Sequence, residues 1–133
     1  MVGWDPGSWG YHGDNGRTYT HPEINHGNKY GDTYSSGATI GCGVNFKKET
    51  AFFTLNGKLI GPAFRGIKGK LYPAVSFSTE RPSGKITANF GPEGFRYEAW
   101  ASDKNTEESS PTQSQEVTRV DEDSDDEWET RRR

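Results

Sequence analysis

The sequence has one cysteine, one methionine and no long apolar run. A lone cysteine, Cys42, cannot form an internal disulfide, which favours a reducing compartment. No apolar stretch approaches the ~20 residues that a membrane-spanning helix needs. The first residues also lack the basic and apolar regions of a secretory signal. We therefore expect a cytoplasmic or nuclear protein with no membrane partner.

Helical periodicity is nearly absent as well, and short alternating segments take its place. The segment Ala38–Phe46 alternates apolar and small residues, with Cys42 in its middle, and Thr50–Leu55 follows it. Next comes Asn56-Gly57, a strong hairpin signal because a type I′ turn needs positive φ at both central positions. Lys58–Phe64 would return along the preceding strand, with Pro62 marking an edge or a bulge.

The sequence predicts strands in four further segments, which turn residues separate. These segments are Ser8–His12, Arg17–Thr20, Leu71–Phe77 and Lys85–Phe90. Gly13–Gly16 reads as a tight turn, and residues 21–37 as a long polar loop. Seven short strands separated by turns predict an all-β protein, an antiparallel β-sandwich.

Composition divides the chain near residue 100. All 17 glycines and 16 of the 17 aromatic residues lie in residues 1–100, whose formal charge is +3, whereas residues 101–133 carry −6. The second segment has few apolar residues to offset an ordering cost of roughly 1–2 kcal/mol per residue. The sequence therefore predicts a folded domain over residues 1–100 and a disordered acidic tail over residues 101–133. Within the tail, Ser124 precedes three acidic residues and is a candidate phosphorylation site.

The residues that catalysis or metal binding would need are not in place. Cys42 lies between two glycines on the apolar face of a predicted strand, so it reads as a small buried residue. The sequence has no G-x-S-x-G elbow and no phosphate-binding loop of the G-x-x-x-x-G-K-[ST] order. His21 and His26 lie in a loop without the paired spacing of a zinc site. We predict no catalytic residue, no metal site and no cofactor, although carboxylates that meet in space stay open as glycosidic groups.

A nucleic-acid partner is also disfavoured. The eleven basic residues of the first hundred positions are scattered, without a basic run. Nucleic-acid binding usually needs a basic patch or stripe. The sequence gives no oligomeric state.

Several motifs, in consistent order, resemble the second half of a SPRY domain. Gly3-Trp4 leads into Tyr11-His12-Gly13-Asp14, and Gly37–Cys42 matches a Gly-Asp-x-Ile-Gly-Cys strand with Ala38 in place of the aspartate. The remaining motifs are Phe52–Gly57, Leu71–Pro73 and Ala88–Gly91. The likeness covers about residues 3–100. It is greatest to the Ran-binding-protein-M type, which includes the scaffold subunit of the glucose-induced-degradation ubiquitin ligase.

The resemblance implies a concanavalin-like β-sandwich that binds proteins or peptides through loops at one end. It also implies ubiquitin-ligase subunits as candidate partners. Because the family's domain begins upstream of the Gly-Trp stretch, we expect a domain truncated at its N-terminus, with unpaired strand edges. Two alternatives stay open: a carbohydrate-binding, lectin-like sandwich, and a non-functional fragment of a longer SPRY protein.

Aromatic and arginine side chains at loop tips are the residues that protein-binding surfaces use as anchors. On that basis six residues are candidates for the binding surface. They are Trp9, Tyr11, Tyr30, Tyr34, Arg65 and Arg81.

Overall fold

The computed structural model describes residues 1–77, 84–91 and 93–97, and the backbone of residues 113–121. The described residues form eight strands in two antiparallel sheets. The first sheet has the order β1-β2-β3, and the second has the order β6-β5-β4-β8-β7. The strands are β1 (Trp9–His12), β2 (Arg17–Thr20), β3 (Glu23–Lys29), β4 (Thr39–Asn45), β5 (Thr50–Leu55), β6 (Lys58–Arg65), β7 (Lys85–Asn89) and β8 (Gln113–Asp121).

The first sheet contains the predicted hairpin and one strand that the sequence did not indicate. The amide of Gly16 closes the β1–β2 turn on the carbonyl of His12 at 3.0 Å. Residues 21–37 were predicted to be a loop, but Glu23–Lys29 of that segment pairs with β2. The expectation was wrong because most β3 side chains are exposed. An exposed edge strand needs backbone partners but no apolar alternation.

The meander of β4, β5 and β6 confirms the predicted hairpins. The turn residues Asn56 and Gly57 have φ angles of 52° and 84°, as the turn signal requires. Pro62 lies in β6, an edge strand whose pairing with β5 shifts register at two places. A residue without an amide hydrogen is tolerated at an edge or a bulge.

The predicted strand Leu71–Phe77 is not a strand in the part of the chain that the structure describes. The segment has the alternation of a strand but contains Pro73, which removes one backbone donor. Among the described residues no neighbouring strand pairs with it. The prediction for Lys85–Phe90 is confirmed as β7, one residue shorter than expected.

One strand of the second sheet comes from the segment that the sequence assigns to the acidic tail. The backbone of Gln113–Asp121 forms β8, which lies between β4 and β7 and pairs antiparallel with both. The two flanking strands supply backbone hydrogen bonds on both sides of β8.

The core joins the two sheets and confirms the all-β sandwich. Its most buried residues are Tyr11 from β1, Ala51 and Phe53 from β5, Phe64 from β6, and Ile67 just after β6. Ile67 is only 1% exposed, and its amide donates to the carbonyl of Glu49 at 2.9 Å. The centroids of the Tyr11 and Phe53 rings lie 5.4 Å apart across the two sheets.

Candidate functional site

Three of the predicted binding residues form an aromatic cluster inside the sandwich. The ring of Tyr11 lies 5.1 Å from that of Tyr30 and 5.0 Å from that of Tyr34, centroid to centroid. Each hydroxyl donates to a backbone carbonyl: Tyr11 to Asp32, Tyr30 to Gly61, and Tyr34 to Tyr11. The hydroxyl of Tyr30 also accepts the amide of Phe53 at 3.0 Å. These contacts make the cluster part of the core.

The acid–base behaviour of the cluster agrees with this structural role. Burial raises the pKa of all three phenols, that of Tyr30 to about 12. Burial raises the pKa because a phenolate would lose its hydration there. The hydroxyls are therefore neutral donors throughout the physiological range.

Tyr11, one of the predicted binding residues, is only 6% exposed and lies in the core. Tyr30 and Tyr34 are half-buried and pack against the core, since each connects the β3–β4 segment to the two sheets. Both were read as loop tips because they lie in a segment without an apolar pattern.

The other predicted residues fall in different places. Trp9, in β1, is half-buried and packs against the core cluster. Arg65 is exposed at the end of β6. Arg81 and Ser124 lie outside the described residues. The five candidates that the structure describes therefore do not lie together in one exposed surface.

A different set of exposed apolar side chains lies on two segments that are in contact, and we call this set the N-terminal patch. It consists of Met1, Trp4, Tyr72 and Val75, which are 36%, 46%, 75% and 49% exposed. The two segments that carry them are in contact, because the amide of Val2 donates to Oγ of Ser76 at 3.0 Å. A contiguous exposed apolar patch is typical of a binding surface, so these two segments are the candidate site.

The turn that carries Trp4 is fixed to the first sheet. Nε2 of His12 lies 2.8 Å from the carbonyl oxygen of Val2, and the amide of Gly3 donates to Oγ of Ser8 at 2.6 Å. The His12 ring stacks on Tyr19, with centroids 4.2 Å apart. The Trp4 ring is tilted by 38° to the His12 ring, with centroids 6.3 Å apart. Trp4 is therefore held in place before any partner binds, which lowers the entropic cost of binding.

A close backbone contact below this turn requires glycine. A Cβ on Gly10 would lie 2.4 Å from the carbonyl oxygen of Val2, and one on Gly3 would lie 2.4 Å from that of Tyr19. Both distances are shorter than real Cβ contacts allow. Glycine at these two positions thus allows the turn that carries Trp4 to pack directly against the backbone of the first sheet.

The described residues offer little for covalent or metal chemistry. Burial raises the pKa of the Cys42 thiol to about 11, so its reactive thiolate is scarce at neutral pH. No group of three or more potential metal ligands occurs among the residues the structure describes. Nor does that part of the chain contain a helix long and apolar enough to cross a bilayer. What the geometry does provide is a preformed apolar surface.

Comparison with known families agrees with the motifs and the fold. The sequence model of the SPRY domain family matches residues 1–93. The chain belongs to the SPRY domain family. SPRY domains are non-enzymatic modules for protein interaction, so a protein-binding role is the function that membership supports.

Curated relatives contain this SPRY domain as a small part of a longer chain. The chain is 44% identical over 98 residues to a Ran-binding proteins 9/10 homolog of Drosophila melanogaster, covering 74% of this chain and 10% of the relative. It is 40% identical over 98 residues to human Ran-binding protein 9, covering 74% and 13%. It is also 45% identical over 94 residues to the dual specificity protein kinase splA of Dictyostelium discoideum, covering 68% and 4%.

Sequence reasoning did not identify most residues of the N-terminal patch as binding residues. Only some of them lie in a stretch whose pattern indicates a site. Trp4 lies in the aromatic opening stretch, but exposure cannot be read from a tryptophan in a turn. Tyr72 and Val75 lie in a segment whose alternation predicted a paired strand with one buried face. The loss of that pairing is a tertiary outcome, and it is what exposes both side chains.

Proposed function

We propose that this SPRY domain binds a protein or peptide through the N-terminal patch. The observation that carries the proposal is the pair of exposed aromatic side chains, Trp4 and Tyr72, on two segments in contact. Tryptophan and tyrosine dominate the binding energy of protein interfaces because they bury large areas with few rotatable bonds. Met1 and Val75 extend the apolar surface around them.

The basic side chains beside the patch suggest the polar character of the partner. Nζ of Lys70 lies 5.5 Å from the centroid of the Tyr72 ring, a cation–π contact. Lys68, two residues before Lys70, is exposed and pairs only loosely with Glu49, at 3.4 Å. A ligand that combines an apolar anchor with an acidic residue would match this arrangement.

At a finer level, we propose that the domain serves a ubiquitin-ligase scaffold or adaptor and recruits a substrate or a substrate receptor. The support is the motif resemblance to the Ran-binding-protein-M type. The relatives' names state that they bind Ran, which makes Ran a second partner to test. We propose a cytoplasmic or nuclear location, which is consistent with a lone, unpaired Cys42.

The experiment compares two pairs of variants of the full chain. Trp4→Ala and Tyr72→Ala remove patch residues, whereas Leu59→Ala and Phe90→Ala remove side chains of similar exposure elsewhere. Tagged proteins are incubated with cell extract, and captured ligase subunits and Ran are quantified by mass spectrometry. We expect about tenfold or greater loss of capture for the patch variants, and unchanged capture for the controls.

Thermal unfolding of each variant separates binding from stability. Of the two patch variants, Tyr72→Ala should change stability less, because the tyrosine side chain is 75% exposed. Equal capture by all four variants would refute a role for the patch. Capture of proteins other than ligase subunits would keep the protein-binding function and overturn the ligase assignment. Retention on a glycan array that depends on Trp4, without protein capture, would favour the lectin-like alternative.

A further inference from the structure

Basic side chains that are separated in the sequence come together at one end of the β4–β5–β6 meander. We call this set the basic end, and its members are all exposed: Lys47, Lys48, Arg65, Lys68 and Lys70. Between Asp32 and Glu80 the sequence has one carboxylate side chain, that of Glu49. The basic end therefore concentrates positive charge in a region whose residues 1–100 have a formal charge of only +3.

Backbone contacts hold the two basic segments against each other. In the pairing of β5 with β6, Arg65 lies opposite Thr50, the first residue after the β4–β5 turn. The amide of Ile67 donates to the carbonyl of Glu49 at 2.9 Å, and the Ile67 side chain is only 1% exposed. Because this buried residue anchors the second segment to the turn, the positive charges stay close together despite their mutual repulsion.

The basic end already accepts one carboxylate. Nζ of Lys68 lies 3.4 Å from a carboxylate oxygen of Glu49, and this is the one ion pair within the described part of the chain. The other four basic side chains have no carboxylate partner among the described residues. Most of the positive charge of this surface is therefore available to a ligand of opposite charge.

The basic end adjoins the N-terminal patch. Nζ of Lys70 lies 5.5 Å from the centroid of the Tyr72 ring, which is the most exposed ring of the patch. From Lys70 the chain leads back to Lys68, whose ion pair with Glu49 places it against the β4–β5 turn. A ligand that contacts Tyr72 thus has positive charge beside it.

We propose that the partner segment bound by this domain is acidic, with an apolar side chain seated at Tyr72 and carboxylates placed along the basic end. This inference rests on the proposed function and deepens it by naming the chemistry of the ligand. Partner carboxylates pair with Lys48, Arg65 and Lys70, as Glu49 pairs with Lys68. Such complementarity contributes to selectivity and to the rate of association.

An acidic peptide fits this surface better than a nucleic acid does. Single-stranded nucleic acids stack successive bases on several aromatic side chains. The described contacts place one exposed ring, that of Tyr72, beside the basic end. One apolar anchor followed by carboxylates needs only that one ring.

The test uses the full chain and two labelled peptides, each with one tryptophan at its end. In the first peptide a run of glutamates follows the tryptophan, and in the second peptide glutamines replace all the glutamates. Affinities are measured by fluorescence anisotropy. In about 50 mM salt we expect the glutamate peptide to bind about tenfold more tightly than the glutamine peptide, and in about 300 mM salt the difference should shrink, because salt screens exposed charges.

Charge reversals at exposed positions locate the site. Lys48→Glu and Arg65→Glu should each weaken binding of the glutamate peptide about fivefold. Lys58→Glu makes the same change as Lys48→Glu at the opposite end of the β5–β6 hairpin and should leave binding unchanged. Glu49→Gln should tighten binding about twofold, because it frees Lys68 for the peptide. A merely structural role of Glu49 would not produce tighter binding.

Four results would overturn the proposal. Equal affinities for the two peptides would refute an acidic ligand, and an equal effect of Lys58→Glu would show a response to net charge alone. Tighter binding of a labelled oligouridylate, lost in Arg65→Glu, would identify a nucleic acid as the partner. Absence of peptide binding, together with carbodiimide cross-links from Lys48 to carboxylates of residues 121–133, would identify the chain's own acidic segment as the occupant.

The same variants distinguish failure of this inference from failure of the proposed function. If Tyr72→Ala lowers capture from cell extract but the charge reversals leave peptide binding unchanged, the patch stands and the acidic ligand is refuted. If the charge reversals weaken peptide binding but Tyr72→Ala changes neither peptide binding nor capture, the acidic ligand stands and the anchor at Tyr72 is refuted.

Discussion

At the scale of single residues, tyrosine serves two opposite purposes in this protein. Tyr34 is half-buried, and its hydroxyl donates to the carbonyl of Tyr11 at 2.6 Å. Tyr72 is 75% exposed, and Nζ of Lys70 lies 5.5 Å from the centroid of its ring. Their residue type is identical, so the sequence alone could not separate them. The difference arises from which segments pack beneath each ring.

This contrast gives a matched pair of substitutions. Tyr34→Phe removes one hydroxyl and leaves a carbonyl inside the sandwich without that donor, so we expect a loss of about 1–2 kcal/mol in the free energy of unfolding. Tyr72→Phe removes the same atom at an exposed site and should change stability by less than about 0.5 kcal/mol. Urea unfolding followed by circular dichroism measures both. Equal effects of the two substitutions would contradict the assignment of Tyr34 to the core.

At the scale of elements, the sequence predicts local turns correctly, but it does not predict which strands pair with one another. The β5–β6 hairpin follows from Asn56-Gly57, because few other residue pairs adopt positive φ at both positions. β3 could not be foreseen, because an exposed edge strand has no apolar pattern. Leu71–Phe77 has the pattern but lacks a partner among the described strands. A strand thus depends on a neighbour that alternation cannot reveal.

The β5–β6 turn carries a testable consequence of close packing. Gly57 has a φ of 84°, and a Cβ there would lie 2.8 Å from the carbonyl oxygen of Arg96. Gly66 has a φ of 72° but no atom near its virtual Cβ. Gly66→Ala should therefore show only the backbone cost of about 1–2 kcal/mol. Gly57→Ala should cost more, because the turn must also move.

Thermal unfolding monitored by circular dichroism compares the two alanine variants. The side chain of Asn56 accepts the amide of Thr39 at 2.9 Å, so a displaced turn also disturbs the start of β4. We therefore expect faster amide exchange at Thr39 in Gly57→Ala and not in Gly66→Ala. Identical melting temperatures for the two variants would show that the contact with Arg96 does not constrain the turn.

At the scale of the whole molecule, one aromatic contact joins the two sheets. Phe53 is 8% exposed and lies 5.4 Å from Tyr11 of the first sheet and 6.4 Å from Phe64 of the second, between ring centroids. The sequence placed Phe53 in a strand but could not show that its ring meets both sheets. The binding surface could not be predicted from the sequence either, because it depends on which segments the core leaves exposed.

Because Phe53 packs against both sheets, we expect them to unfold together. Phe53→Ala should lower the free energy of unfolding by about 3–5 kcal/mol, whereas Phe90→Ala, at a 59% exposed position, should change it by less than about 0.5 kcal/mol. Thiol labelling of Cys42 during urea unfolding reports the second sheet, because burial keeps this thiol protected in the folded state. Amide exchange in β1 reports the first.

Coincident midpoints for the two probes, shifted equally by Phe53→Ala, would establish a single cooperative unit. If Phe53→Ala does not fold, Phe53→Leu keeps most of the apolar volume and should give a smaller shift in the same direction. Separate midpoints would mean that the sheets are stable independently and that Phe53 belongs energetically to only one of them. The part of the N-terminal patch that carries Trp4 would then depend on the first sheet, because His12 and Ser8 hold its turn. Partial unfolding of the second sheet would leave that turn in place, so the two midpoints also indicate how much of the molecule the patch needs.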